Sequence, residues 1–338
     1  MHYASIGPIA VQMGEIVEDN EELAQKFPHW DLELIRLKTG IRVRYVAGPG
    51  QFVSDLGVAA AEKLFEEQCI ERESIDFLLF CTQTPDYPLP TTACLVQERL
   101  GLRTSVGALD YNLGCSGFVY GLALADGLIR SGAARRILLI TSETYSKYID
   151  PGDRALRTIF SDAAAATLID AAERPSMSPF IFGTDGRGAD ALMLTSGSIR
   201  TGQYAMQPRK RKRWPSNLYM DGPELVKFAL DMVPPVVESV LAASGWSRDD
   251  VELYLLHQAT AKMLELLRDK LALEPDRMPI DLEEWGNTVS STIPLLIHNL
   301  RKSGRLKPGS RSVLLGFGVG LSWAGCGWTD TWQPAVGC

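Results

Sequence analysis

The chain has 338 residues, of which 46% are hydrophobic and 22% charged, with a formal net charge of −7 and a pI near 5.3. That length holds two core-bearing units or one large layered domain, and the acidic balance excludes a general nucleic-acid binder. No apolar run is long enough to span a bilayer, and the first residues lack the basic start, apolar core and cleavage site of a signal peptide, so no membrane association and a cytoplasmic location are expected.

Six cysteines, Cys69, Cys81, Cys94, Cys115, Cys326 and Cys338, are scattered without a C-x-x-C pair. This argues against a zinc or redox motif and predicts free thiols in a reducing compartment. In chain order, the spacing predicts a helix over Val53–Gln68, a buried strand over Ile75–Thr82, a helix over Thr92–Leu100 and a strand over Val106–Tyr111. That strand runs into D-Y-N-L-G-C-S-G-F, with Cys115 between Gly114 and Gly117 at the start of a helix over Ser116–Ser131. Phe118, Leu122, Ala125 and Ile129 give this helix one apolar face. Two readings of Cys115 stand side by side. Most cysteines are buried and inert. One at a helix start, with glycines admitting a reactant, feels the positive end of the dipole, which favours the nucleophilic thiolate. Strands follow at Arg136–Thr141 and Ala164–Ile169.

The segment from Arg174 to Asn217 differs, with G-T-D-G-R-G and the basic run Pro208 to Trp214. Such a run is a solvated loop or, alternatively, a docking patch for an acidic partner. Beyond it, Glu224–Ser244 reads as a helix that Pro234 and Pro235 should kink. Val251–Leu256 reads as a strand and Ala259–Leu273 as a helix. His257 ends that strand, at the carboxyl edge where α/β sheets place ligands; a core histidine bonded to a carbonyl fits the same position. Asn287, in E-E-W-G-N-T-V-S-S-T-I-P, is either a donor to a developing oxyanion or a turn and N-cap residue. A helix over Thr292–Ser303 and a strand over Arg311–Gly316 lead into L-L-G-F-G-V-G-L-S-W-A-G, a loop able to aim N–H groups at an anion. It is no nucleotide fingerprint, because no helix follows in a βαβ unit.

Alternating strands and helices predict an α/β architecture with a covered sheet. The stretch E-R-E-S-I-D-F-L-L-F-C-T resembles S-R-D-D-V-E-L-Y-L-L-H-Q, with Val251 standing 176 positions after Ile75. Val313 stands the same 176 positions after Ile137. One register for two matches predicts an internal duplication, with halves at 1–173 and 218–338 and an inter-half segment at 174–217. In that register His257 takes the place of Cys81.

With these segments in order, and with L-K-T-G-I-R-V-R-Y-V-A (Leu37 to Ala47) and D-P-G-D-R (Asp150 to Arg154), the chain resembles the beta-ketoacyl-acyl carrier protein synthase III family of thiolase-fold condensing enzymes over nearly its whole length. The resemblance implies a five-layered α-β-α-β-α fold and a homodimer. It implies that Cys115 accepts an acyl group, that His257 and Asn287 bind the thioester carbonyl of a malonyl unit as it loses carbon dioxide, and that the N–H groups of Cys115 and Val319 form an oxyanion hole. No metal and no permanently bound cofactor are implied; acyl-coenzyme A, or acyl and malonyl groups on acyl carrier protein, are the substrates. Lys38, Arg154, Gly222, Thr260 and Lys262 fall at substrate- or carrier-binding positions, and Leu89 where the family inserts a bulky residue into its partner's acyl pocket. Departures from the family pattern are S-D-A-A-A-A (Ser161 to Ala166) for G-D-G-A-G-A, Thr260 for an asparagine, Lys38 and Lys262 for arginines, and Leu34 near an adenine-stacking tryptophan. The second cysteine of degradative thiolases is missing before the C-terminal loop. Two other readings are an acyltransferase that passes the acyl group to a hydroxyl or amine, and a non-catalytic partner subunit of the same fold.

Overall fold

The computed structural model describes residues 2–197, 199–200, 206 and 216–334, so the basic run at 208–214 lies outside the described residues. In chain order the elements are β1 (Tyr3–Met13), β2 (Ile16–Asp19), α1 (Asn20–Lys26), α2 (Leu32–Thr39), β3 (Val43–Val46), α3 (Val53–Gln68), β4 (Phe77–Cys81), α4 (Thr92–Arg99), β5 (Gly107–Tyr111), α5 (Gly117–Arg130), β6 (Arg136–Glu143), α6 (Arg154–Arg157) and β7 (Ala163–Ala172). Then come β8 (Ile181–Thr184), β9 (Leu192–Met193), β10 (Tyr219–Met220), α7 (Gly222–Ser244), β11 (Leu253–Leu256), α8 (Ala261–Leu271), α9 (Thr292–Lys302), β12 (Arg311–Gly318) and β13 (Ser322–Thr329).

Helix ends follow their capping residues. Asp31 accepts from the Leu34 N–H at the start of α2, and Thr260 from the Met263 N–H at the start of α8. Helix α7 opens on Asp221 with Pro223 in its first turn and closes on Gly245 at φ +66. It runs from Gly222 to Ser244 with both Pro234 and Pro235 inside.

Two sheets carry the fold, ordered β1-β7-β6-β4-β5 and β8-β13-β12-β11. Each repeats one scheme: a parallel pair (β4 with β6, β11 with β12), an antiparallel neighbour (β7, β13), then an antiparallel edge strand (β1, β8). Strands β4 and β11 begin at Phe77 and Leu253, and the short 3-10 turns before them at Arg72 and Arg248, both pairs 176 residues apart. Strand β5 extends the first sheet only, among the described residues. Strand β8 falls inside the segment at 174–217 yet pairs with β13, so that part of the segment belongs to the second sheet.

The layers follow from strand alternation. Leu79, Ile137 and Leu139 of the first sheet, and Leu253, Leu255 and Leu314 of the second, face a central layer of α5 and α9. The opposite faces are covered by α3 and α4 on the first sheet and by α7 and α8 on the second. Helix, sheet, helix pair, sheet and helix make the expected five layers. One expectation is corrected: Cys69 is disulfide-bonded, while Cys81, Cys94, Cys115 and Cys326 are free thiols. Among the described residues, no helix is long and apolar enough to cross a membrane.

Candidate active site

Cys115 lies in the turn from β5 to α5, one residue before the helix cap Ser116. The end of β12 closes over it. A Cβ at Gly318 would stand 2.9 Å from the Cys115 Cβ and Sγ, and one at Gly316 2.7 Å from the Cys115 carbonyl oxygen, so only glycine permits this approach. Ser322 Oγ donates to the Val319 carbonyl at 2.8 Å and meets Ser116 Oγ at 2.7 Å, which fastens the glycine loop to the nucleophile turn. The main-chain N–H groups of Cys115 and Val319 both bear on the sulfur.

Burial pushes the Cys115 thiol up to about 12, and the nearby Glu143 carboxylate adds to the rise. The two N–H groups oppose the shift without cancelling it. Burial therefore works against the lowering expected at a helix start. His257, just past β11, is driven the other way, down to about 3, by the same burial. Burial thus favours the neutral thiol and the neutral imidazole over a thiolate–imidazolium pair.

The His257 main-chain N–H donates to the Leu315 carbonyl at 3.0 Å, which ties the residue to the end of the second sheet. Its ring packs edge-on to Phe317, and Nδ1 meets Thr292 Oγ1 at 2.7 Å. That hydroxyl also donates to the Val289 carbonyl at 3.1 Å. With its proton so placed, Nδ1–H is the donor and Nε2 carries the lone pair; a turn of the hydroxyl towards Nδ1 places the proton on Nε2 instead.

Asn287 follows Gly286 (φ +66) and precedes Val289, whose φ of +55 is costly for a β-branched residue. The distortion is held by hydrogen bonds. Val289 N–H donates to Asn287 Oδ1 at 2.9 Å, Asn287 N–H to the Ile159 carbonyl at 2.9 Å, and Ser161 N–H to the Asn287 carbonyl at 2.9 Å. With Oδ1 engaged, the carboxamide NH2 is left for the cavity.

That cavity, of about 160 Å3, is lined by Cys115, His257, Asn287 and Val319 together. Its walls are apolar, with Phe160, Leu192 and Phe228 among them. A wider opening of about 940 Å3 shares Met220, Gly222 and Thr260 with it and reaches Lys38 and Arg154. Leu34 lines this opening as well. Two predicted residues stand apart: Lys262 is exposed, paired with Glu265 at 3.7 Å, and Leu89 is 85% exposed, and neither lines either cavity. Sequence reasoning missed the walls and Thr292. The signal for Thr292 lay in N-T-V-S-S-T, five residues beyond Asn287; β9 and β10, which bring Leu192 and Met220, are two residues each and too short to show a period.

Residues 109–186 match the family described as 3-oxoacyl-[acyl-carrier-protein (ACP)] synthase III, and residues 241–329 match its C-terminal part. A protein of Streptomyces coelicolor named beta-ketoacyl-[acyl-carrier-protein] synthase III 3 is 37% identical over 325 residues, covering 94% of this chain and 93% of its own length. The chain belongs to the 3-oxoacyl-[acyl-carrier-protein] synthase III family. A crystal structure of a 3-oxoacyl-(acyl-carrier-protein) synthase III superposes with a TM-score of 0.91 at 46% identity, covering 97% of this chain and 99% of that one. The 3-oxoacyl-(acyl-carrier protein) synthase of Burkholderia xenovorans LB400 superposes at 0.92 with 36% identity, covering 97% and 94%. The five layers are thus the thiolase-like fold of a synthase III.

Proposed function

We propose that this synthase III catalyses a decarboxylative Claisen condensation between an acyl group held on Cys115 and a malonyl thioester. The observation that carries the reading is that Cys115, His257, Asn287 and Val319, drawn from both sheets, line one largely apolar cavity. In the first half-reaction the Cys115 thiol gives its proton to His257 Nε2 as the sulfur attacks the acyl thioester. The N–H groups of Cys115 and Val319 take up the oxyanion, a contribution of about 3 kcal/mol per donor. Collapse expels the carrier's sulfur, which takes the proton back from His257 and leaves as a thiol.

A malonyl thioester then enters. Its carboxylate leaves as carbon dioxide, and the electron pair becomes an enolate whose oxygen is held by the Asn287 NH2 and by His257 Nε2–H, after the Thr292 hydroxyl has turned to donate to Nδ1 and water has carried the imidazole proton from Nδ1 to Nε2. The enolate carbon attacks the acyl thioester, and Cys115 leaves as a thiolate and regains a proton from water. Lys38, Arg154, Gly222 and Thr260 line the route by which a phosphopantetheine arm, on acyl carrier protein or coenzyme A, reaches the sulfur; cationic Lys38 and Arg154 suit its phosphate. Lys262, on the outer surface, suits an acidic carrier protein. The same reading takes the protein as a cytoplasmic homodimer, with residues 1–173 and 218–338 as related halves and Leu89 reaching the partner's acyl cavity.

Intact-protein mass spectrometry tests this directly. Wild type and Cys115→Ser are incubated with acyl-pantetheine thioesters of two to twelve carbons, then with malonyl-pantetheine. The expected result is a single acyl adduct on wild type only, discharged by malonyl-pantetheine with release of carbon dioxide. An adduct discharged only by an added alcohol or amine would make the protein an acyltransferase instead.

A further inference from the structure

The two cations at the wider opening are mounted differently. Lys38 lies in the last turn of α2, and that helix ends on Gly40 (φ +71), whose Cα faces Ala261 of α8 so closely that no Cβ would fit. Arg154 begins α6, a helix of four residues in which Leu156 alone is buried. A single apolar anchor is a pivot, so something else must stop α6 from turning about it. Arg157, the last residue of α6, supplies that second anchor. Its Nη2 and Nε donate to the two carboxylate oxygens of Glu18 at 2.6 and 3.2 Å, and its Nη1 donates to the Pro151 carbonyl at 3.0 Å. Its guanidinium also lies 5.5 Å from the centre of the Phe27 ring. Glu18 is buried and directly precedes Asp19, the N-cap of α1, while Phe27 is the C-cap of the same helix. The guanidinium thus ties α6 to both ends of α1. The planar fork matches the carboxylate in a way that no other cationic side chain can.

We propose that Arg157 is a positioning residue for Arg154: it fixes the turn of α6 so that Arg154 and Lys38 meet the phosphate of an incoming phosphopantetheine arm together. The inference rests on the phosphate-binding role given to Lys38 and Arg154 above. Its consequence is selective. A thioester without a phosphate makes no use of either cation, so its binding is indifferent to the set of α6. The chemistry is held elsewhere. The turn bearing Cys115 is fastened through Ser116, Val319 and Ser322, and the main chain of Ile159 and Ser161 bonds Asn287 beyond the end of α6. Glu18 also keeps a cation when Arg157 is removed, because Lys26 Nζ stands 3.7 Å from the same carboxylate.

The test uses Arg157→Met, Arg157→Lys, Arg154→Ala and the double variant Arg154→Ala/Arg157→Met, each first checked for folding by thermal unfolding. Acylation of Cys115 is followed against the concentration of hexanoyl-phosphopantetheine and, separately, of hexanoyl-pantetheine, which lacks the phosphate. In Arg157→Met the concentration for half-maximal rate should rise about tenfold with the phosphorylated thioester, with the maximal rate and both constants for hexanoyl-pantetheine within about twofold of wild type. Arg157→Lys should fall between the two, since an ammonium keeps one bond to Glu18 but loses the fork. In the Arg154→Ala background the Arg157 change should add almost nothing, because the two act through one group. An equal loss with both thioesters, full additivity in the double variant, or an Arg157→Met enzyme that binds the phosphorylated arm like wild type while Arg154→Ala does not, would overturn the assignment. Should Arg154→Ala itself leave the preference for the phosphorylated thioester unchanged, the phosphate reading of Arg154 would fall, and this role with it.

Discussion

Cys115 and His257 owe their protonation states to one cause. Both are buried, so the charged form of each is penalised, and the thiol is pushed up to about 12 while the imidazole is pushed down to about 3. A cysteine of this kind reacts through the small fraction that is ionised, and that fraction grows tenfold per pH unit until its own pKa is reached. Alkylation of Cys115 by iodoacetamide should therefore climb steadily from pH 6 to pH 10 with no plateau. The rate is read by peptide mass spectrometry, so that exposed Cys94 is counted separately. A plateau near pH 7 would mean a preformed thiolate–imidazolium pair and would contradict the neutral pair described here. Glu143 stands behind this balance. Its carboxyl, itself raised to about 8 by burial, accepts hydrogen bonds from Gln83 N–H and from the Thr84 and Ser290 hydroxyls, and any charge it gains further disfavours the thiolate.

The central helices α5 and α9 do the work of joining the two sheets. Ile297 is fully buried in α9, within the core shared by both sheets. Truncating it leaves a cavity that neither sheet can collapse into, so Ile297→Ala should lower unfolding stability by about 3 kcal/mol, measured by urea titration. A loss below about 1 kcal/mol would show that the middle layer is loosely packed. These helices were legible because their apolar residues recur at helical spacing; so was α3, whose predicted Val53–Gln68 bounds are those observed. Strand β1 was not legible. Gly7 and Pro8 interrupt it, and the structure accommodates them with a register shift between Ile6 and Ile9. Strand β13 hid for a similar reason, since Gly325 and Gly327 alternate with larger residues and blank one face of the pattern. At the site, the Cys115, His257 and Asn287 segments announced themselves by punctuation at element ends. The cavity walls did not, because they are single apolar side chains from distant elements that meet only in three dimensions.

At the scale of the whole molecule, the first sheet ends on β5, which among the described residues pairs only with β4. An edge strand with an open ladder invites a second copy, and a twofold axis pairs such an edge with itself. The middle residue of β5 is Leu109, 38% exposed, so the axis would pass beside it. Tyr87 and Leu89 are also exposed, in the loop that follows β4, the neighbour of β5. Apolar side chains left in water beside an open edge are the mark of a surface that is covered in the assembled protein. Light scattering on the purified chain should then give twice the 37.1 kDa monomer mass. Leu109→Asp places like charges opposite each other across the axis and should shift the mass to that of the monomer, with a thermal midpoint that shows the fold intact. The consequence for chemistry follows from Leu89. If it closes the partner's cavity, the monomer has an open acyl pocket and should accept longer acyl-pantetheines than wild type, read as adduct masses on Cys115. A wild-type monomer, or a Leu109→Asp dimer with unchanged chain-length preference, would place the interface elsewhere.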